Sequence, residues 1–111
     1  MDKNVITVEQ LENKFKNKEK VFILDVRDEE KFQTGSLQAE AIQPTNIPYV
    51  AMRDEEAIVK EQVSRLPKET VIVTVCTTGN KAGKAASLLR EKGFNAVPLE
   101  GGLTAWKEKD A

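Results

Sequence analysis

Val71-Ile72-Val73-Thr74-Val75-Cys76-Thr77-Thr78-Gly79-Asn80-Lys81 reads as a buried strand that stops at a cysteine and opens into a short loop containing glycine. Valine, isoleucine and threonine fill its first five positions, which makes it the strongest strand in the chain. The spacing after the loop predicts a helix over residues 82–92, closed by Gly93. Strand, loop and helix in this order form part of the repeating unit of a parallel sheet covered by helices.

The pattern continues on both sides. Val21-Phe22-Ile23-Leu24 is a continuous apolar run ending at Asp25, a second buried strand. Before it, Val5-Ile6 is a short extended start. Thr7 and Gln10 then have capping-box spacing, and Val8, Leu11 and Phe15 form an apolar helix face. Residues 28–33 read as a short helix stopped by Gly35, and 36–53 as irregular around Pro44 and Pro48, with a short strand near Ala41-Ile42. Asp54 is expected to cap a helix running to Leu66, with Ile58, Val59, Val63 and Leu66 mostly on one face before Pro67. Residues 96–99 form a last strand, and a closing helix follows Gly101-Gly102 with Leu103 and Trp106 as core anchors. No repeat or linker interrupts the 111 residues, so residues 1–111 read as a single α/β domain.

Composition removes whole classes of function. The chain has no histidine, which excludes Ser-His-Asp and Cys-His mechanisms and histidine metal sites. It has one cysteine, which excludes an internal disulfide, a Cys-x-x-Cys redox pair and a multi-cysteine zinc site. Sulfur chemistry therefore rests on Cys76, with no metal and no cofactor expected. Lys plus Arg number 17 against 18 Asp plus Glu, a balance that points to neither nucleic acid nor a membrane surface as partner. No apolar run approaches the roughly 20 residues of a membrane span. The first residues lack the apolar stretch of a signal peptide, so a cytoplasmic location is expected.

In parallel sheets of this kind, function gathers at the carboxyl ends of the strands. Two segments stand there: Asp25-Val26-Arg27, and Cys76 with its loop. A lone cysteine after an apolar run is most often inert core. A loop with glycine before a helix changes that reading, because its N–H groups converge near the positive end of the helix. A thiolate placed there is stabilised and nucleophilic at neutral pH, with Lys81 adding a positive charge. Thr77, Thr78, Gly79, Asn80 and Lys81 are thus the candidate anion-binding loop, although Gly79 also reads as a plain turn residue and Asn80 and Lys81 as solvent-facing. Asp25 and Arg27 read either as a structural ion pair or as part of the site. We prefer a supporting role, in which Asp25 accepts hydrogen bonds that hold the Cys76 loop. Two phosphate loops are excluded by spacing. Gly79-Asn80-Lys81-Ala82-Gly83-Lys84 is one residue short of a Walker loop, and Ala82 stands where a Cys-x5-Arg phosphatase needs arginine.

Four stretches, in register over nearly the whole length, resemble the single-domain rhodanese family of sulfurtransferases. Ile23-Leu24-Asp25-Val26-Arg27 with Phe32 and Gly35 is similar to its LDVR element, and Asn46-Ile47-Pro48 to its NIP. Cys76 through Lys81 resembles its C-x-x-G-x-R loop, and Glu100-Gly101-Gly102-Leu103-Thr104-Ala105-Trp106 its closing GG(I/L)xAW. The resemblance implies a five-stranded, mostly parallel sheet with helices on both faces. It also implies a Cys76 persulfide that takes sulfane sulfur from thiosulfate or a small persulfide and passes it to a thiol or cyanide. The expected partners are then a small sulfur-containing anion or thiol persulfide and a protein thiol acceptor. A non-catalytic or sulfur-carrier module working with a fused or bound partner is the alternative. The chain departs from the family pattern at Lys81, where arginine is usual, and at Lys31, where glutamate is customary. Ser36-Leu37 replaces His-Ile, and the stretch from Gln38 to Thr45 is longer than the usual turn.

Overall fold

The computed structural model describes residues 4–39 and 42–109. The two apolar runs form adjacent parallel strands, β1 (Val21–Asp25) and β3 (Val71–Val75). Flanking them are β2 (Thr45–Asn46) and β4 (Ala96–Pro98), giving the order β2-β1-β3-β4 with every pairing parallel. Four strands are present among the described residues where five were expected. The fifth position, beyond β4, is a single parallel bridge from Ile6 to Leu99. Thr7 explains the shortfall: it caps helix α1 (Val8–Lys16) immediately after Ile6, leaving no length for a strand. The capping box is complete, with the Gln10 amide donating to Thr7 Oγ1 and the Thr7 amide to Gln10 Oε1.

Period-two alternation sorts the strand residues onto the two faces of the sheet. Leu24, Ile72 and Cys76 belong to one core with Met52, Val59, Val63, Ala82, Ala86 and Leu89. Ile23, Val73 and Val75 belong to the other, with Leu11, Leu37, Leu103 and Trp106. Helices α3 (Tyr49–Arg53), α4 (Ala57–Ser64) and α5 (Asn80–Glu91) cover the first face; α1 and α6 (Gly102–Glu108) cover the second. Leu103 and Trp106 are core anchors as expected. The Trp106 ring meets Phe15 edge to face, and its Nε1 donates to the Gln38 carbonyl.

Three local expectations differ from the fold. Pro48 presets the chain for α3 inside the stretch read as irregular, and Asp54 ends that helix instead of capping the next one. The Asp54 amide donates to the Val50 carbonyl and its carboxylate accepts from Arg53 Nε, while Glu56, two residues on, takes the N-cap position of the next helix. Glu55, at φ 55°, then turns the chain into α4, on which Ile58 faces solvent at 73% exposure. The strand expected near Ala41-Ile42 falls partly outside the described residues; Ile42 is not in a strand, and the pairing with β1 occurs at Thr45 and Asn46. Asn46 decides that register, because its Nδ2 donates to the carbonyls of both Asp25 and Arg27.

Registration places the two candidate segments side by side. Asp25 pairs with Val75, and the Val26 amide donates to the Val75 carbonyl at 2.9 Å. The residues just past both strands, Val26-Arg27 and Cys76, therefore emerge together at the carboxyl edge of the sheet. Helix α2 (Glu29–Gln33) follows β1 at this edge, one residue shorter than expected because Asp28 occupies its N-cap position.

Candidate active site

Cys76 continues the alternation of Ile72 and Thr74, so its side chain turns toward the helix α5 face and not toward α1 and α6. There its sulfur meets the start of α5. The Gly79 amide donates to Cys76 Sγ at 3.0 Å and the Ala82 amide at 3.3 Å. Both donors come from orphan N–H groups at the N-terminal end of a twelve-residue helix, where the backbone dipole also favours negative charge. α5 starts at Asn80, two residues earlier than the apolar pattern suggests. Gly79, at φ 107°, makes the left-handed turn that starts it. Ala82, which the sequence marked only as the start of the helix and the place where a phosphatase loop has arginine, acts here through its backbone amide alone.

The loop is also held from behind. The Leu103 amide donates to the Cys76 carbonyl at 2.8 Å and the Thr104 amide to the Thr77 carbonyl at 3.0 Å. These bonds draw the loop carbonyls toward the first turn of α6 and leave its amides free for the sulfur. Gly102 makes this approach possible. At φ 62° it has no side chain, and a Cβ there would collide with the carbonyls of Cys76 and Thr77. The Gly-Gly pair ahead of Leu103 was the only sequence signal for this contact.

Arg27, Cys76, Thr77, Thr78, Asn80 and Lys81 line one cavity of about 230 Å³, together with Lys31 from α2. Cys76 is 4% exposed at its floor, whereas Thr77, Thr78, Asn80 and Lys81 are exposed at the rim. Gly79 contributes its amide. Lys31 is a lining residue that loop spacing did not reveal, since 45 positions separate it from Cys76.

Asp25 stands behind this cavity in the ion pair with Arg27 that the sequence offered as one reading, and not in the preferred role of holding the Cys76 loop. Its fully buried carboxylate accepts from the Arg27 amide at 3.0 Å, Arg27 Nε at 3.0 and 3.1 Å, and Arg27 Nη2 at 2.7 Å. Ser36 Oγ donates to it at 2.6 Å. Those bonds use the carboxylate's lone pairs on Arg27 and Ser36, in place of the Cys76 loop. Asp25 thus positions Arg27, and Arg27 Nη2 in turn donates to the Gly35 carbonyl just beyond α2 at 2.6 Å. The Ser36 hydroxyl found where the family pattern has histidine is accounted for by this bond. Among the described residues no cluster of three or more histidine, cysteine or acidic side chains could hold a metal ion.

The rhodanese-like domain family matches residues 7–109 of the chain. The chain belongs to that family. The rhodanese-like domain here is similar to YtwF of Bacillus subtilis, which is provisionally named a sulfurtransferase, with 29% identity over 96% of this chain and 93% of that protein. It is 34% identical to the thiosulfate sulfurtransferase GlpE of Pseudoalteromonas translucida over 82% of this chain and 77% of that one. Its fold matches the crystal structure of a rhodanese-related protein from Thermoplasma volcanium at a TM-score of 0.76 and 26% identity, covering 96% and 92% of the two chains. The rhodanese fold accounts for the four-stranded core of the parallel sheet and the helices on both its faces. No helix among the described residues is long and apolar enough to cross a membrane.

Proposed function

We propose that this rhodanese-like domain is a sulfurtransferase that moves sulfane sulfur from a small anionic donor, thiosulfate or a thiol persulfide, through a persulfide on Cys76. The observation that carries the reading is the pair of amides aimed at Cys76 Sγ, at 3.0 and 3.3 Å, on the floor of a cavity rimmed by Arg27, Lys31 and Lys81. Two amide donors aimed at the sulfur are placed to hold negative charge on it, and the attacking species in exchange at sulfur is a thiolate. The names of YtwF and GlpE support the same chemistry.

The reaction runs in two displacements. The Cys76 thiolate attacks the sulfane sulfur of thiosulfate; a new S–S bond forms, the old one breaks, and sulfite leaves with the bonding pair. The product is a Cys76 persulfide anion, whose terminal sulfur lies in the cationic cavity. Cyanide or an acceptor thiolate then attacks that sulfur, and the Cys76 thiolate departs with the electron pair. No oxidant, metal or cofactor enters either step. Cys76 is the catalytic residue, Thr77 to Lys81 bind the donor, and Asp25 and Arg27 keep the adjoining strand end in shape.

Intact-mass measurement after exposure to thiosulfate tests this reading. The expected result is a gain of one sulfur atom on Cys76, removed by cyanide. Absence of the adduct, or sulfite release that persists in Cys76→Ser, overturns it.

A further inference from the structure

A second cavity, of about 270 Å³, opens on the α4 side of the sheet. Its lining is apolar at depth, where Met52, Val59, Val63 and Phe94 are buried members of one core. It shares no residue with the cavity around Cys76. Lys92, another of its lining residues, caps the far end of α5. Twelve residues, or about 18 Å of helix, separate that end from the amides that face the sulfur.

The charges at its rim do not cancel. Glu55 Oε1 lies 3.7 Å from Lys60 Nζ, which pairs the cavity's one carboxylate with one ammonium. Lys68 and Lys92 line the same cavity and have no carboxylate partner among the described residues. Nor are they engaged in closing α5. The Leu89 and Arg90 carbonyls at its end accept the backbone amides of Lys92, Gly93 and Phe94, each at 3.0 Å. Lys68 Nζ instead sits 4.8 Å from the centre of the Phe94 ring, so a positive charge stands directly against the apolar floor.

We propose that this cavity is a binding site for a small amphipathic carboxylate, its apolar body against Met52, Val63 and Phe94 and its charge held by Lys68 and Lys92. The two oxygens of one carboxylate can accept from one ammonium each, whereas a neutral ligand leaves both ammonium groups unanswered. Apolar walls with a few convergent polar groups are the usual make-up of small-molecule sites. The volume lies just under the roughly 300–1,000 Å³ of sites for drug-sized ligands, which limits the occupant to a ring or a short chain. Binding there does not involve Cys76, so this assignment stands independently of the sulfurtransferase reading.

Met52 is one of two methionines in the chain, so NMR of methyl-labelled methionine reports on the cavity directly. Phenylbutyrate, its neutral amide phenylbutyramide, and butyrate are titrated in turn onto the full chain at low ionic strength. The expected result is a saturable shift of the Met52 methyl signal with phenylbutyrate, at an affinity about fivefold or more above that of the other two. Lys68→Gln combined with Lys92→Gln should weaken phenylbutyrate roughly fivefold to twentyfold and leave the amide unchanged. Ser64 is an exposed lining residue, and Ser64→Trp should fill the cavity and abolish the shift in a folded chain. Equal binding of phenylbutyrate and its amide, or of phenylbutyrate and butyrate, overturns the assignment. So does the absence of a saturable shift, or a shift that persists in Ser64→Trp. Unchanged affinity for phenylbutyrate in the lysine variant overturns it as well, whether or not Ser64→Trp folds.

Discussion

The Leu103 amide donates to the Cys76 carbonyl at 2.8 Å, so the last helix of the chain holds the loop that carries the nucleophile. The adjoining bond from Thr104 to the Thr77 carbonyl fixes a second peptide of the same loop. With its carbonyls engaged from behind, the loop turns its amides toward Cys76 Sγ. The orientation of the donors is therefore built by Leu103 and Thr104, 21 residues and more beyond them in sequence, and it has direct consequences for substitution.

Gly102→Ala tests the contact. The new Cβ meets the Cys76 and Thr77 carbonyls in a backbone conformation that L side chains rarely adopt, so either the loop or α6 must shift. A destabilisation of about 2–4 kcal/mol is expected by urea unfolding. Persulfide formation should fall even at temperatures where the variant remains folded. Wild-type stability and rate in this variant would remove Gly102 from the support of the loop.

Asp25→Ala tests the pair behind the cavity. It leaves the buried Arg27 without its carboxylate, a situation that typically destabilises by about 3–5 kcal/mol. The double variant Asp25→Ala, Arg27→Met should recover part of that loss, because no uncompensated charge remains. Equal stability of the single and double variants in denaturant titrations would show that the pair is not coupled.

Lys81 stands where the family pattern has arginine, at the cavity rim and exposed. Lys81→Ala should reduce kcat/KM for thiosulfate by about tenfold, the value of one charge-assisted contact lessened by solvent. Lys81→Arg should tighten apparent affinity, because a planar guanidinium fixes the orientation of an anion that an ammonium only attracts. Steady-state kinetics at matched ionic strength measure both. An unaltered Lys81→Ala would place anion binding on the loop backbone from Thr77 to Asn80.

Aryl phosphates should not be turned over. Ala82, the position a phosphatase loop reserves for arginine, is fully buried, and its amide already donates to Cys76 Sγ. No side chain of the loop supplies the bidentate guanidinium grip that would hold a phosphoryl group in line with the sulfur. Aryl phosphate hydrolysis that disappears in Cys76→Ser would contradict this.

The parallel strands, the capped first helix and the cysteine at a strand end were legible from local pattern alone. Apolar runs, the Thr7-Gln10 capping box and the glycine after Cys76 act within a few residues of themselves, so neighbours in sequence suffice to express them. Local pattern is ambiguous where short segments compete: Asp54 could end one helix or start another, and the left-handed Glu55 and the Arg53 contact decide it. For Asp25 the chain left two readings open, an ion pair with Arg27 and support of the Cys76 loop, and the structure takes the ion pair, because an Asp at a strand end has several donors within reach and chain direction alone does not choose among them.

Tertiary structure decided everything that crosses the sheet edge. Parallel registration of Asp25 with Val75 puts Arg27 beside Cys76, and the Arg27–Gly35 bond then brings Lys31 to the same cavity. Packing of α6 against the loop chooses which peptide groups face the sulfur. The chain by itself determined that a cysteine would stand at the carboxyl end of a central strand, because alternation and the glycine turn are local. Which charges surround that cysteine depended on contacts between residues tens of positions apart, whose meeting is set by the register of the strands and the close packing of the helices over them.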